Sequence, residues 1–383
     1  MRCRKAARVV SATVPLIFAA TCTTSSGDAR PPSRNGDRQA VNVDQARLRG
    51  SCLATPGSLT PVTWRLAAAS SEAGPLGALV PVVDVALPGP ADRFDYQSID
   101  QGSRRLWISH MGAGRVVVFN LDSDRVVGEV ADLPRATGVL AVPGHNAVYV
   151  SAAGAHQIAV VDDRTLRVIT RIDGARFPDG IAYVPDVDKL FVSDESGESS
   201  VVIDAATRTR RSIIPLGGEA GNTHYDSVSH CVLVAIQTSN QLVAIDADAE
   251  RIVRRYDLPG INTPHGFALD EAGRRAFVSG AGDGALLVLD LRTMRVIQRL
   301  RVGDGPDVVA WDPGWRRLYV ASESGVLSEF SAAGDSLLAV GELRAPHAHS
   351  VAVDSRTHRV YLPLENVGGH PVLRVLVPGT GRR

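Results

Sequence analysis

The sequence has few of the residues that mark several common classes of protein. Its 383 residues include four cysteines, three methionines and 5% aromatic residues, and Lys plus Arg (41) equals Asp plus Glu (41). A balanced charge gives no electrostatic reason to expect a nucleic acid or an anionic membrane surface as a partner. Few aromatics also argue against base-stacking platforms. No nucleic-acid partner is therefore expected.

Motifs for several catalytic and cofactor sites are missing too. The chain contains no Cys-x-x-Cys or Cys-x-x-Cys-His, which argues against a zinc ribbon, a redox pair and attached haem. It has no Gly-x-Ser-x-Gly nucleophile elbow and no phosphate-binding loop. The stretch GAGDG at 280–284 precedes no predicted helix, which a dinucleotide site requires. No cofactor is therefore predicted from local motifs.

Residues 1–22 have the pattern of a signal peptide. A basic start precedes the apolar run Val9 to Ala20, which is too short to span a bilayer. The sequence AATC resembles a lipobox that would place lipid on Cys22, with Thr21 where Gly or Ala is usual. We expect an exported protein, periplasmic or at the cell surface, that meets a membrane only through this lipid. Ordinary secretion and a retained anchor are the alternatives.

Residues 23–77 are expected to form a flexible linker, because the segment begins with a polar stretch rich in Pro and Gly. Cys52 lies in this segment, and Cys231 begins a predicted strand. Export permits a disulfide between them, and two unpaired thiols are the alternative.

The strongest signal is an internal repeat, which predicts a repeat architecture. One short apolar strand recurs at intervals of 42 or 44 residues. Its copies begin at Leu106, Val148, Leu190, Val232, Ala276, Leu318 and Val360. Each copy is flanked by three further strands bounded by Gly, Asp, Asn and Pro. Four antiparallel strands per unit of about 42 residues are typical of a β-propeller blade.

The ends of the chain predict how the ring closes. The last repeat lacks a fourth strand, whereas one strand, Val80–Leu87, precedes the first repeat. That strand can complete the seventh blade and so remove an exposed sheet edge. The predicted fold is all-β: a seven-bladed propeller of four-stranded antiparallel blades over residues 78–383, closed by an N-terminal strand.

The repeats resemble the YVTN-type propeller family, also called YncE-like. The resemblance rests on LYVA, VYVS and LFVS in the second strands, on the DxxTxRV turns at 162–168 and 290–296, and on PDG and PHG before first strands. It covers about residues 80–377 and implies a seven-bladed propeller without an assigned reaction. Seven-bladed lactonases share this architecture. The WD40 pattern fits less well, because Trp311-Asp312 is the one Trp-Asp pair and lies on a first strand.

Propeller geometry predicts which loops meet. The loop that enters each first strand and the loop that follows each second strand lie at the same rim of the channel, where function commonly resides. The position eleven residues before each second strand is Asp95, Thr137, Asp179, Gly221, His265, Asp307 and His349. With their neighbours, the candidate ligand-binding residues are Asp95, Asp179, Asp194, Glu195, His224, His265, Asp307, His347 and His349.

These residue types allow two interpretations. The aspartates can cap backbone N–H groups at the loop-to-strand junctions, and the glutamates can be ordinary exposed residues. Alternatively, His265 and His349, which we expect on solvent-facing loops, bind a divalent transition metal together with carboxylates. A seven-histidine copper cluster is excluded, because the ring position has two histidines.

Three functions remain open from the sequence. The first is a non-enzymatic propeller that binds a protein, peptide, glycan or small molecule at the rim. The second is a hydrolase or lactonase in which His265 or His349 is a base or metal ligand and Asp179 and Asp307 orient it. The third is a structural cell-surface module. The catalytic residues of the second are not identified by any motif.

The lipobox-like sequence makes a testable prediction. Cys22→Ala should move the protein from the membrane fraction to the soluble fraction, because the variant has no thiol for the lipid. Fractionation and mass spectrometry of the mature N-terminus measure this. A wild-type protein that is soluble and begins at another residue would contradict lipidation and leave ordinary secretion standing.

Overall fold

The computed structural model describes residues 76–380, which fold into seven four-stranded antiparallel sheets. Blades 1 to 6 each consist of four consecutive strands, from β2–β5 to β22–β25, and blade 7 combines β26–β28 with β1. First strands of successive blades contact one another around the ring. No helix in this described part of the chain is long and apolar enough to span a membrane.

The strands of the first three blades follow the N-terminal strand β1 (Leu76–Ala86). They are β2 (Gln97–Asp100), β3 (Arg105–His110), β4 (Arg115–Asn120), β5 (Arg125–Val130), β6 (Ala136–Val142), β7 (Ala147–Ala152), β8 (Gln157–Asp162), β9 (Arg167–Asp173), β10 (Pro178–Val184), β11 (Lys189–Asp194), β12 (Ser199–Asp204) and β13 (Thr209–Pro215). Short 3-10 turns at Pro143–His145 and Ala153–Ala155 flank β7.

The remaining blades continue the same order. Their strands are β14 (Ala220–Asp226), β15 (Cys231–Ile236), β16 (Gln241–Asp246), β17 (Arg251–Asp257), β18 (Pro264–Asp270), β19 (Arg275–Gly280), β20 (Ala285–Asp290), β21 (Arg295–Arg301), β22 (Pro306–Asp312), β23 (Arg317–Ser322), β24 (Val326–Ala333), β25 (Ser336–Arg344), β26 (Ala352–Val353), β27 (Val360–Val367) and β28 (His370–Thr380).

Burial along each blade explains the hydrophobic pattern. Second strands such as β11 and β15 are buried at every residue, because neighbouring blades cover both of their faces. Fourth strands such as β5 and β9 alternate exposed and partly buried residues, as expected for the outer edge of a blade. Apolar clusters between adjacent blades therefore form the core of the ring.

The ring closes as the sequence predicts. Strand β1 pairs antiparallel with β28 from Leu76–Thr380 to Ala86–Val372. Arg374 donates two hydrogen bonds, of 2.6 and 2.8 Å, to Asp84 across this pair. The backbone N–H of Leu79 also donates to Glu329 of blade 6 at 3.1 Å. The N-terminal strand is thus fixed to two blades.

A glycine after the ring position, as at Gly266 in the PHG motif and at Gly138 in blade 2, allows the first strands to approach closely. A Cβ on Gly266 would overlap the carbonyl oxygen of Asp307 in the next blade, and a Cβ on Gly138 would overlap that of Asp179. Ser151 donates a 2.7 Å hydrogen bond to the same Asp179 carbonyl oxygen. These residues set the distance between neighbouring blades at the channel.

The DxxT turns are closed by side chains. The Asp162 carboxylate accepts hydrogen bonds from the backbone N–H of Thr165 at 2.7 Å and from its hydroxyl at 2.8 Å. Asp204 and Thr207 repeat this pair. The repeated Asp and Thr are therefore turn residues.

Two boundaries differ from the sequence-based prediction. Strand β1 begins at Leu76, inside the segment expected to be a linker, because the pairing with β28 continues to Thr380. The first strand of blade 7 is short, at Ala352–Val353. Residues 1–75, which contain the expected signal peptide, Cys22 and Cys52, lie outside the described residues. Cys231 is disulfide-bonded, and a pairing with Cys52, which the sequence left open, involves a residue outside 76–380.

Removing β1 should destabilise the ring. A chain that lacks residues 1–88 should aggregate or melt far below one that lacks residues 1–75, because the first exposes the edge of β28. Thermal melting and size-exclusion chromatography measure this, both in reductant so that Cys231, the one cysteine left in either chain, cannot link two molecules. A shorter chain that stays monomeric with an unchanged Tm would contradict the role of β1.

Candidate functional site

The ring-position residues meet at one mouth of the channel. His349 of blade 7 contacts Asp307 of blade 6 (Nε2 to Oδ2, 2.8 Å) and Asp95 of blade 1 (Nε2 to Oδ1, 3.5 Å). His265 of blade 5 contacts Asp307 at 3.2 Å and Asp179 of blade 3 at 3.9 Å. The propeller thus brings five of the predicted residues together. We call them, with Tyr96, Arg93 and Glu323, the mouth cluster.

The mouth cluster lies across the channel. The hydroxyl of Tyr96 in blade 1 donates a 2.9 Å hydrogen bond to the carboxylate of Asp179 in blade 3, although blade 2 separates the two along the ring. Asp95, Asp179 and His349 are 4 to 5% exposed. The expectation that His349 lies on a solvent-facing loop is therefore wrong: contacts from several blades bury its ring.

Arg93 and Glu323 complete the cluster on its solvent side. Arg93 lies 2.9 Å from Glu323 (Nη1 to Oε1) and 3.8 Å from Asp307 (Nη2 to Oδ2). Its Nη2 is also 3.1 Å from His349 Nε2. The Nε2 atom of His349 cannot both accept a hydrogen bond from Arg93 and donate one to Asp307. We assign a proton to this atom, because its contact with Asp307 is the shorter one and is charge-assisted.

Opposite charges set the protonation of this group. Burial alone would lower the pKa of His349, but Asp307, Asp95 and Glu323 raise it well above its usual value. Burial alone would raise the pKa of Asp307, yet His349, His265 and Arg93 hold it well below its usual range. An imidazolium at His349 and a carboxylate at Asp307 therefore form a buried ion pair.

Asp179 has the opposite environment. Burial raises its pKa well above the usual value, and the negative charges of Asp95 and Glu195 add to this effect. The hydrogen bond from Tyr96 offsets part of it. Asp179 is thus the carboxyl of the cluster whose charged form is least stabilised.

The predicted backbone caps lie elsewhere. Within residues 76–380 no backbone N–H donates to the carboxylates of Asp95, Asp179 or Asp307; side chains occupy them instead. The cap is Asp194, which accepts from the N–H groups of Arg176 and Phe177 at 2.7 to 3.0 Å. Asp194 therefore stabilises the loop between blades 2 and 3 and does not reach the cluster.

Other candidates also lie outside the cluster. Glu195 accepts a 3.2 Å hydrogen bond from Gln237 of the next blade. The side chain of His347 is 62% exposed and lies 3.6 Å from Glu365. His347 and His349 thus diverge, which contradicts an extended stretch that presents both rings to one side. His347 has φ of 60°, in the left-handed region, and this turn separates the two rings.

His224 lies deeper, on β14, where it lines the channel. Burial lowers its pKa to about 4, and a hydrogen bond to the backbone of Phe267 opposes this only in part. The ring is therefore neutral at pH 7. Its Nε2 is buried and has no hydrogen-bond partner in the part of the chain that the structure describes.

Two adjoining cavities follow the channel away from the mouth cluster. The first, about 520 Å³, is lined mainly by first-strand residues, including Tyr96, Asn222, His224 and Trp311. The second, about 640 Å³, shares His224 and Trp311 with it and reaches the turns that carry Glu271 and Pro313 on the opposite face. The channel is therefore accessible from the face opposite the predicted rim.

One group of side chains has the spacing of a metal site. Among the described residues, Asp307, Glu323 and His349 offer ligand atoms that all lie within 4.8 Å of one another. His265, the other histidine expected to bind a metal, is not part of this group. Glu323 follows the second strand β23, whose loop the repeats place at the rim. Arg93 was missed, because it lies two residues before the ring position and the one other arginine there, Arg135, belongs to blade 2.

Comparison with known proteins supports the fold. No protein-family model and no curated protein matches the chain. A chain of Kuenenia stuttgartiensis hydrazine synthase is similar, with a TM-score of 0.65 and 16% identity, covering 78% of this chain and 98% of that one. The WD40 repeats of RRP9 give a TM-score of 0.65 at 10% identity, covering 76% and 97%. At such identities the similarity shows a β-propeller and no activity.

Asp179→Asn should change how stability depends on pH. A carboxyl with a raised folded-state pKa costs stability as the pH rises from about 4, the value of an unfolded Asp, through the folded-state pKa. The wild-type protein should therefore lose stability relative to Asp179→Asn as the pH rises to neutrality. Chemical denaturation at several pH values measures this difference.

Asp204→Asn is the matched control, because hydrogen bonds from Thr207 lower the pKa of Asp204. The wild-type protein should gain stability relative to this variant only as the pH rises to about 4, the value of an unfolded Asp, and the difference should stay constant from there to neutrality. A loss of wild-type stability relative to both variants between about pH 4 and neutrality would contradict the assignment of Asp179.

Proposed function

We propose that the protein is an exported, non-enzymatic β-propeller that binds a small organic ligand in its central channel. The repeat residues LYVA, VYVS and LFVS support membership of the YVTN-type family, and the basic and apolar N-terminus supports export. The observation that carries the binding function is the channel cavity of about 520 Å³, a volume within the range of small-molecule sites.

The walls of this cavity suggest the kind of ligand. Most of the lining is apolar, from Val139, Ile181 and Val309 among others. Gln97, Asn222 and His224 are polar side chains in this lining. A few polar groups in an apolar wall fit a ligand with an apolar body and a few polar groups of its own.

The surroundings of the histidines favour binding over hydrolysis. A hydrolytic base must reach a substrate, yet both ring nitrogens of His349 lie against carboxylates: Asp307 at 2.8 Å and Glu323 at 3.3 Å. The neutral His224 has no carboxylate within its described hydrogen bonds to orient it. We therefore prefer a binding protein to a hydrolase or lactonase. The channel cavity also distinguishes it from a purely structural module.

Ala310→Trp tests the proposal, because Ala310 lines the cavity and an indole there should fill it. Compounds that stabilise the wild-type protein in a thermal-shift screen should not stabilise this variant. At about 100 times its Kd a ligand adds about 2.7 kcal/mol, which raises the Tm by a few degrees.

Ala333→Trp is the matched control, because Ala333 is exposed at the end of β24. Its response should equal that of the wild-type protein. His224→Leu should weaken binding without preventing it, because it removes one acceptor. Stabilising compounds that act equally on Ala310→Trp and Ala333→Trp would show that the channel is not the site.

A further inference from the structure

We infer that the mouth cluster contains a binding site for a divalent transition metal such as Zn²⁺, with Asp307, Glu323 and His349 as its ligands. This inference does not depend on the channel ligand, because none of these three residues lines the channel cavity. Imidazole nitrogen and carboxylate oxygen are both zinc ligands. Their ligand atoms lie within 4.8 Å of one another.

The spacing requires little movement. Zinc bonds of 2.0 to 2.2 Å in a tetrahedron place neighbouring ligand atoms about 3.4 Å apart. His349 Nε2 and Asp307 Oδ2 are 2.8 Å apart. Glu323 is the ligand that must approach, and its side chain is 51% exposed, so it can change rotamer at low cost. The buried residues are thus already in place, and the exposed one completes the site.

Arg93 indicates where the metal would lie. Its guanidinium contacts all three ligand residues: Glu323 at 2.9 Å, His349 at 3.1 Å and Asp307 at 3.8 Å. The positive charge of Arg93 thus lies beside the two carboxylates that would hold a metal. The Arg93 side chain is 42% exposed, so it can turn outward and let the ion enter from solvent.

Two further carboxylate oxygens lie in the cluster. The side chain of Asp95 is 7% exposed, and its Oδ1 lies 3.5 Å from His349 Nε2, longer than an ordinary hydrogen bond. Asp307 Oδ1 is buried and has no hydrogen-bond partner among residues 76–380, although His265 Nδ1 lies 3.2 Å away. These buried carboxylate oxygens favour a cation of higher charge than the single arginine.

Calorimetric titration of the tag-free protein with ZnCl₂ tests the site. The wild-type protein should bind one Zn²⁺ per chain and release a proton from His349, because a metal ligand must be deprotonated. Glu323→Gln should weaken binding by about tenfold or more, since even residues that only support metal ligands contribute 10- to 100-fold. His349→Ala should weaken it further.

Two variants separate a metal site from an ordinary ion-pair network. Arg93→Ala should bind Zn²⁺ several-fold more tightly, because the competing cation is gone, whereas a purely structural arginine would not give this gain. Glu365→Gln is the matched control: Glu365 has the same repeat position as Glu323 but contacts His347. Its Zn²⁺ affinity should equal that of the wild type.

Circular dichroism of each variant confirms that it is folded before titration. No Zn²⁺ binding by the wild-type protein would overturn the inference, whatever Arg93→Ala does. Equal Zn²⁺ affinities for Glu323→Gln and Glu365→Gln would overturn it as well, as would weaker binding by a folded Arg93→Ala.

Discussion

The pairing of β1 with β28 is the interaction on which the rest of the structure depends. It completes blade 7 from the two ends of the described chain and thereby brings that blade against blade 1. Asp95 and His349 belong to these two blades and contact each other at the channel mouth. On the opposite face Arg104 and Asp354 form a buried ion pair between the same blades at 2.6 Å. The pairing that closes the ring therefore also assembles the mouth cluster.

Close contact between first strands joins the fold to the site. Gly266 must lack a side chain because the Asp307 carbonyl lies where its Cβ would be. The residue before this glycine, His265, then faces Asp307 across the same junction. Gly266, which close packing requires, thus also places two ionisable groups 3.2 Å apart. A larger side chain at Gly266 would push the two blades apart and would also separate His265 from Asp307.

The repeats predicted the fold almost entirely, because the second strands recur at fixed intervals and the surplus strand at the N-terminus identifies the closure. They also predicted that Asp95, Asp179, His265, Asp307 and His349 would meet. They could not predict how deeply these side chains are buried, because a repeat alignment gives a position around the ring and not its contacts across the channel. Such contacts also determine that Asp194 is a backbone cap, that His224 lies inside the channel and that Arg93 belongs to the mouth cluster.

The position of the mouth cluster has a kinetic consequence. With Tyr96 and Asp179 hydrogen-bonded across that mouth, the proposed ligand would enter and leave through the opposite face, which the second cavity reaches. Two ligands cannot pass each other in a channel that is used from one end, so exchange requires departure before replacement. The dissociation rate would then set the exchange rate at any concentration of competitor.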